Sequence, residues 1–149
     1  MPVNHVLLET IELTQSAASV TFDNIPQSGY TDLKIVASPR SDYNGAGGGS
    51  NLRDNLNFYF NGLSASGNWS TKQLYGIPGV VNGSGGGTGG NSGAVGYSNG
   101  AGNTANSYGS CELYIPNYSS TSINKSISAE GVSESNDTSI GLQFNSNLY

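Results

Sequence analysis

Apolar and polar residues alternate with a period of two in several short runs of this 149-residue chain, and helical spacing is nowhere sustained over a useful window. In "LKIVAS" Leu33, Ile35 and Ala37 fall on one face, in "LNFYF" Leu56, Phe58 and Phe60 do, and in "CELYIP" Cys111, Leu113 and Ile115 do. "SIGLQF" repeats the pattern with Ile140, Leu142 and Phe144, and "KSISAEGV" with Ile127 and Ala129. "HVLLETIELT" near the start, "SVTF" at Ser19 to Phe22 and "TKQLYG" around Leu74 read as further strands. Turn-forming clusters separate them, at "NIPQSGYTD", "SPRSDYNGAGGGS", "NGLSASGN", "IPNYSSTSIN" and "SESNDTS". About eight short strands with such turns predict an all-β chain, an antiparallel β-sandwich of jelly-roll-like type, with a single barrel as the nearest rival. The outward faces carry Ser, Thr, Asn and Tyr, as a sheet wetted on one side requires. Tyr59, Tyr114 and Tyr118 are therefore expected at the surface or rim, each ring covering a core edge with its hydroxyl in water.

From Val81 to Ser107 the pattern stops, in the uncharged tract "VNGSGGGTGGNSGAVGYSNGAGNTANS". It falls between the strands at Leu74 and Cys111, with too little chain on either side for two cores. The reading is one domain, 1–149, with a Gly-rich inserted loop at about 82–107. A chain with so few side chains is held by backbone hydrogen bonds or by a neighbour's surface. The tract is thus expected to be an ordered loop pinned at an inter-subunit contact, with Gly87, Gly90, Gly93 and Gly96, spaced every third residue, and Tyr97 as contact residues.

Composition narrows the chemistry. Hydrophobic residues make up 35% and charged residues 10%, which is neither the profile of disorder nor that of an average cytosolic enzyme. The net charge is -5, and the five basic residues, Lys34, Arg40, Arg53, Lys72 and Lys125, never cluster, so a nucleic-acid partner is not expected. Cys111 is the single cysteine, which excludes an internal disulfide and a cysteine-based metal cage; its alternation with Leu113 and Ile115 predicts a buried thiol. No stretch is long and apolar enough to span a bilayer and none resembles a secretory signal, so folding in a cytoplasm is expected. The Asn-X-Ser/Thr matches at Asn68, Asn82, Asn117, Asn124 and Asn136 follow from the composition.

Three stretches carry a family resemblance in their order and spacing: "SAASVTFDNIPQSGYTDLKIVASPR", "NLNFYFNGLSASGNWSTKQLYG" and "CELYIPNYSSTSINKSISAEGVSE". Together they resemble a family of small tailed-phage virion proteins, frequent in phages of marine and cyanobacterial hosts, over most of the chain from about Ser16 to Phe144. The resemblance implies a β-sandwich structural protein of the particle, a capsid-decorating or fibre-type appendage without enzymatic activity, assembled with other virion proteins in the host cytoplasm. It also implies a homo-oligomer with closed symmetry, a trimer being favoured. The motifs have their own physical reading as punctuation: Ile25-Pro26 and Pro116-Asn117 end strands, and Asn61-Gly62 is a tight-turn pair. Two departures stand out. The long glycine tract replaces a compact polar loop, and the family's further hairpin after the strand at "SIGLQF" has no counterpart before Tyr149. Either the sequence stops short or the last strand is supplied by a neighbouring subunit.

No catalytic constellation emerges. His5 is the only histidine and has no partner at triad or zinc spacing. Glu112 lies at an outward strand position, while Asp42, Asp54, Glu130, Glu134 and Asp137 fall in or near loops; nothing pairs them as glycoside hydrolysis requires. Two oxygen-rich stretches, "SDYNG" (Asp42, Asn44, Gly45) and "ESND" (Glu134, Asn136, Asp137), begin like calcium loops and are incomplete. No cofactor, metal or catalytic residue is assigned. The rival to a structural role is a module reading host surface glycans, with Trp69 and Tyr75 flanking "STKQL" as the aromatic faces that would stack on sugars; otherwise Trp69 covers the core rim.

Overall fold

The computed structural model describes residues 5–44, 53–62, 67–77, 80–90, 92–133 and 141–149. Among them the regular structure is all-β, with eight strands in chain order: β1 (Leu33–Ala37), β2 (Arg53–Phe58), β3 (Trp69–Ile77), β4 (Val80–Gly90), β5 (Gly93–Asn99), β6 (Ser110–Ile115), β7 (Ser126–Ser133) and β8 (Gly141–Leu148). Six form one antiparallel sheet in the order β1-β6-β7-β8-β3-β4, and β2 pairs with β5 in a two-stranded antiparallel ribbon. β5 lies across the large sheet over β6, β7 and β8. The described strands thus divide six and two, not into the even pair of sheets expected of a jelly roll.

Period-two alternation became burial where it was read in β1, β2, β6 and β7. Cys111, Leu113 and Ile115 point inward, opposite Ala37, Ile35 and Leu33 on β1, and Leu113 also stands opposite Ala129 on β7. Their partner faces meet Ile127, Val95 and the half-buried Leu56 and Phe58. At one end of this core an aromatic cluster forms around Trp69, which is 1% exposed. Phe58 meets its ring edge-on at 4.8 Å, Phe60 stacks at 5.5 Å and Tyr149 lies at 4.7 Å. The Asn61-Gly62 pair forms the expected tight turn, with φ of 49° and 68°, values only a small set of residues tolerates. Asn117 likewise takes φ of 47° just after Pro116, where β6 has ended.

Three expectations are corrected. The glycine tract is not a loop over 82–107: most of it is strand, β4 at the edge of the large sheet and β5 in the ribbon. Glycine is used here for close approach. A Cβ at Gly93 would fall 2.2 Å from the Phe58 ring, and one at Gly96 would fall 2.8 Å from the Cα of Gly131 on β7. The two layers meet backbone to backbone at that point, far nearer than the roughly 10 Å usual for stacked sheets. Only 100–107 remains a loop, gathered around the Arg40 guanidinium, which donates to the carbonyls of Thr104 (3.0 Å), Ser107 (2.5 Å) and Asn103 (3.3 Å).

The second correction concerns β8, where Phe144 points outward, not into the core. The inward face carries Gln143, Asn145 and Asn147, all buried. The backbone of β5 explains the inversion: its peptide groups at Ala94 and Val95 face β8, and amides satisfy them where apolar side chains of the same size would not. Asn147 donates to Ala94 O and accepts from Ala94 N–H, both at 3.0 Å, so its side chain imitates a neighbouring strand. Asn145 donates to Val95 O at 3.0 Å and accepts from Gln143 at 2.9 Å. Ile140 lies outside the described residues.

Thirdly, "HVLLETIELT" and "SVTF" are not strands. Alternation makes a segment able to be a strand, but a strand exists only beside a neighbour, and none pairs with these segments among the described residues. For the same reason Ile25-Pro26 terminates no strand.

Candidate interaction surface

The register of the large sheet lines its outward side chains into rows. Val36 stands opposite Glu112, Glu112 opposite Glu130, Glu130 opposite Phe144, and Phe144 opposite Leu74, whose other partner is Gly83 on β4. The adjacent row runs Lys34, Tyr114, Ser128, Ser146, Lys72 and Gly85. Among the described residues no second layer covers this face. Val36 is 68% exposed, Val81 78%, Leu74 49% and Phe144 43%. Phe144 stands between two shallow depressions, of about 340 Å³ beside Lys72, Leu74 and Ser146 and about 210 Å³ beside Glu112, Tyr114 and Glu130.

Electrostatics concentrate at the β1–β6 end. Glu112 and Glu130 face each other across the β6–β7 pair, an arrangement that repels, and Lys34 offsets it by binding Glu112 at 2.7 Å. The Tyr114 hydroxyl donates to Asp32 at 2.6 Å, and the Asn117 N–H donates to the same carboxylate at 2.9 Å. The Tyr114 hydrogen bond, with the Asn117 N–H behind it, holds the Asp32 carboxyl below its ordinary range. Reciprocally, the bond to Asp32 pushes the Tyr114 phenol up. Both groups are at the surface, so the pair fastens the approach to β1 rather than forming a reactive centre.

The residues singled out from sequence scatter. Trp69 belongs to the core, with its ring in contact with Phe58, Phe60 and Tyr149 and no face open for a sugar. Tyr75 is half-buried on the inward side of β3, opposite Gln143. Gly93 and Gly96 make their close contacts within the chain, and the Tyr97 ring is capped by the Arg53 guanidinium 4.4 Å from its centroid. Gly87 and Gly90 lie on the edge strand β4, Gly90 opposite Trp69. Tyr59 and Tyr114 are exposed as expected, while Tyr118 is half-buried and donates to the carbonyl of Pro26. Cys111 is buried with its Sγ 3.6 Å from Ala37 O, and burial pushes its thiol up.

Sequence reading missed the outward position of Phe144 beside Leu74. Its only signal was that "GLQFNSNL" alternates in both phases, so that an amide face and an apolar face compete for the interior. His5, Asp42 and Asn44 are exposed, and Gly45, Glu134, Asn136 and Asp137 lie outside the described residues. No group of three or more His, Cys, Asp and Glu able to hold a metal ion occurs among the described residues, and no described helix is long and apolar enough to cross a membrane. Compared with known proteins, the chain matches no family model, no curated protein and no solved structure.

Proposed function

We propose that this chain is a non-enzymatic structural protein of a tailed-phage particle, decorating the capsid or forming part of a head or tail appendage. The observation that supports it best is the large sheet's outward face, where Val36, Leu74, Val81 and Phe144 stand uncovered on a broad surface bounded by two open edges. Such a surface suits repeated contact with flat neighbours. The order and spacing of the three resembling stretches supply the particle context; β1 and β7 lie within them, as does most of β2, β3 and β6. The work of the protein is then assembly, with other virion proteins as partners and the particle as its location.

The test is mass spectrometry and imaging of density-purified particles of the phage that encodes the chain. The chain is expected at a fixed copy number, with density for the six-stranded sheet on the particle's exterior. Its presence in infected cells but absence from purified particles would overturn the proposal.

A further inference from the structure

Residues 5–24 form no strand or helix and make no hydrogen bond among the described residues, yet they carry the alternation of a strand. Val6, Leu7, Ile11, Leu13 and Val20 are exposed, Leu7 to 82%. Most of its apolar side chains are uncovered, with Leu8 and Glu9 half-buried, and no backbone hydrogen bond ties it to the described residues, which is the condition strand pairing relieves.

The same chain has the complementary vacancy. Among the described residues β4 is bonded on one side only, to β3, and forms an open edge eleven residues long, Val80–Gly90. Its sequence, VVNGSGGGTGG, has none of the charges or prolines that usually guard such an edge. His5 to Gln15, HVLLETIELTQ, has the same length, and both extend about 36 Å. Charge matches too. Lys72 on β3 is exposed, takes part in no ion pair among the described residues, and stands opposite Gly85, which interposes no side chain between it and the open edge. A strand beside β4 would bring one carboxylate of this segment, Glu9 or Glu12 according to register, to the face of that lysine, since residues three apart point to opposite sides.

The segment enters the sheet at β1, and β4 is the opposite edge, five strand spacings or about 24 Å away. It does not pair with its own β4 among the described residues, whereas the β4 of a molecule set alongside β1 is adjacent to it. We propose that residues 5–15 of one copy add as a strand to the β4 edge of the next, joining copies head to tail. An interface of this kind uses two different surfaces, so it closes into a ring or runs as a filament. The inference concerns the purified chain alone and stands or falls separately from its place on a particle.

Light scattering on the full-length protein tests it. Wild type is expected to associate, and Thr10→Pro combined with Ile11→Pro, which removes two exposed N–H donors that bond to none of the described residues, is expected to weaken association at least about 100-fold. On β4, Asn82→Pro and Gly83→Pro are made separately, because neighbouring residues direct their N–H groups to opposite sides; the variant that keeps wild-type circular dichroism blocks the edge alone. That variant mixed with the arm variant should give a dimer that grows no further, since each supplies the half the other lacks. Excess synthetic peptide of residues 5–15 should cap wild-type copies as monomers, a readout that requires no β4 variant. A wild type monomeric at its solubility limit, an arm variant that associates like wild type, or an assembly the peptide leaves intact would each overturn the proposal.

Discussion

Replacing Asn147 by Leu tests whether the amide face of β8 is a structural necessity or a misplaced polar face. Asn147 is 1% exposed and accepts from Ala94 N–H, donates to Ala94 O, and accepts from the Thr71 hydroxyl at 2.8 Å. Leucine of similar length fills the space but satisfies none of these groups. The Thr71 hydroxyl can rotate, whereas the Ala94 N–H and C=O are fixed on β5 and lose their partner. Leaving two such groups unsatisfied costs about 2 kcal/mol each, offset by about 1–2 kcal/mol from the added apolar burial. The net expectation is a loss of about 2–3 kcal/mol, or a fall in Tm of about 5–10 °C for a chain of this size. Trp69, the only tryptophan, lies one residue from the β3–β8 register pair that includes Leu148 and reports unfolding by fluorescence. Thermal and urea transitions followed at Trp69 and by circular dichroism should both shift. A variant as stable as wild type, or more so, would refute the reasoning, because it would mean that β8 gains simply from apolar burial and that β5 does not depend on it.

Three further outcomes follow from local geometry. Gly96→Ala should destabilise by about 1–3 kcal/mol, since its Cβ would press on the Gly131 backbone, while Gly83→Ala, with nothing within 4 Å, should change the urea midpoint little. Tyr114→Phe should flatten the pH dependence of unfolding at both extremes. The Asp32 carboxyl, lowered in the fold, contributes stability above its unfolded value that is lost as pH falls through the folded one. The Tyr114 phenol, raised in the fold, contributes stability below its unfolded value that is lost as pH rises through the folded one; wild type and variant with identical profiles would contradict the pairing. Cys111, buried with its thiol pushed up, should react with a thiol reagent only at the rate of unfolding; rapid labelling without denaturant would show the β1–β6 edge to be open.

Much of the fold was legible in local pattern. The inward positions of β1, β2, β6 and β7 follow from alternation because one apolar face competes with one polar face, and burial then has a single solution. The single buried cysteine and the Asn61-Gly62 turn follow from composition and backbone preference in the same way. The candidate surface was not legible as such, since its apolar members, Val36, Leu74, Val81 and Phe144, stand among polar residues on the side that faces water.

What the amino-acid order determined by itself is therefore the class, an antiparallel all-β chain, and the facing of those strands whose two sides differ in polarity. Tertiary structure alone decided the rest. Glycine specifies no face, so only the packing against Phe58 and Gly131 shows why Gly93 and Gly96 must be glycine. The facing of β8 depends on which backbone crosses it, because a buried amide is costly beside apolar side chains and stabilising beside unpaired peptide groups. The first residues, from His5 onward, have the pattern of a strand and no strand to join, since pairing is a property of two segments and not of one.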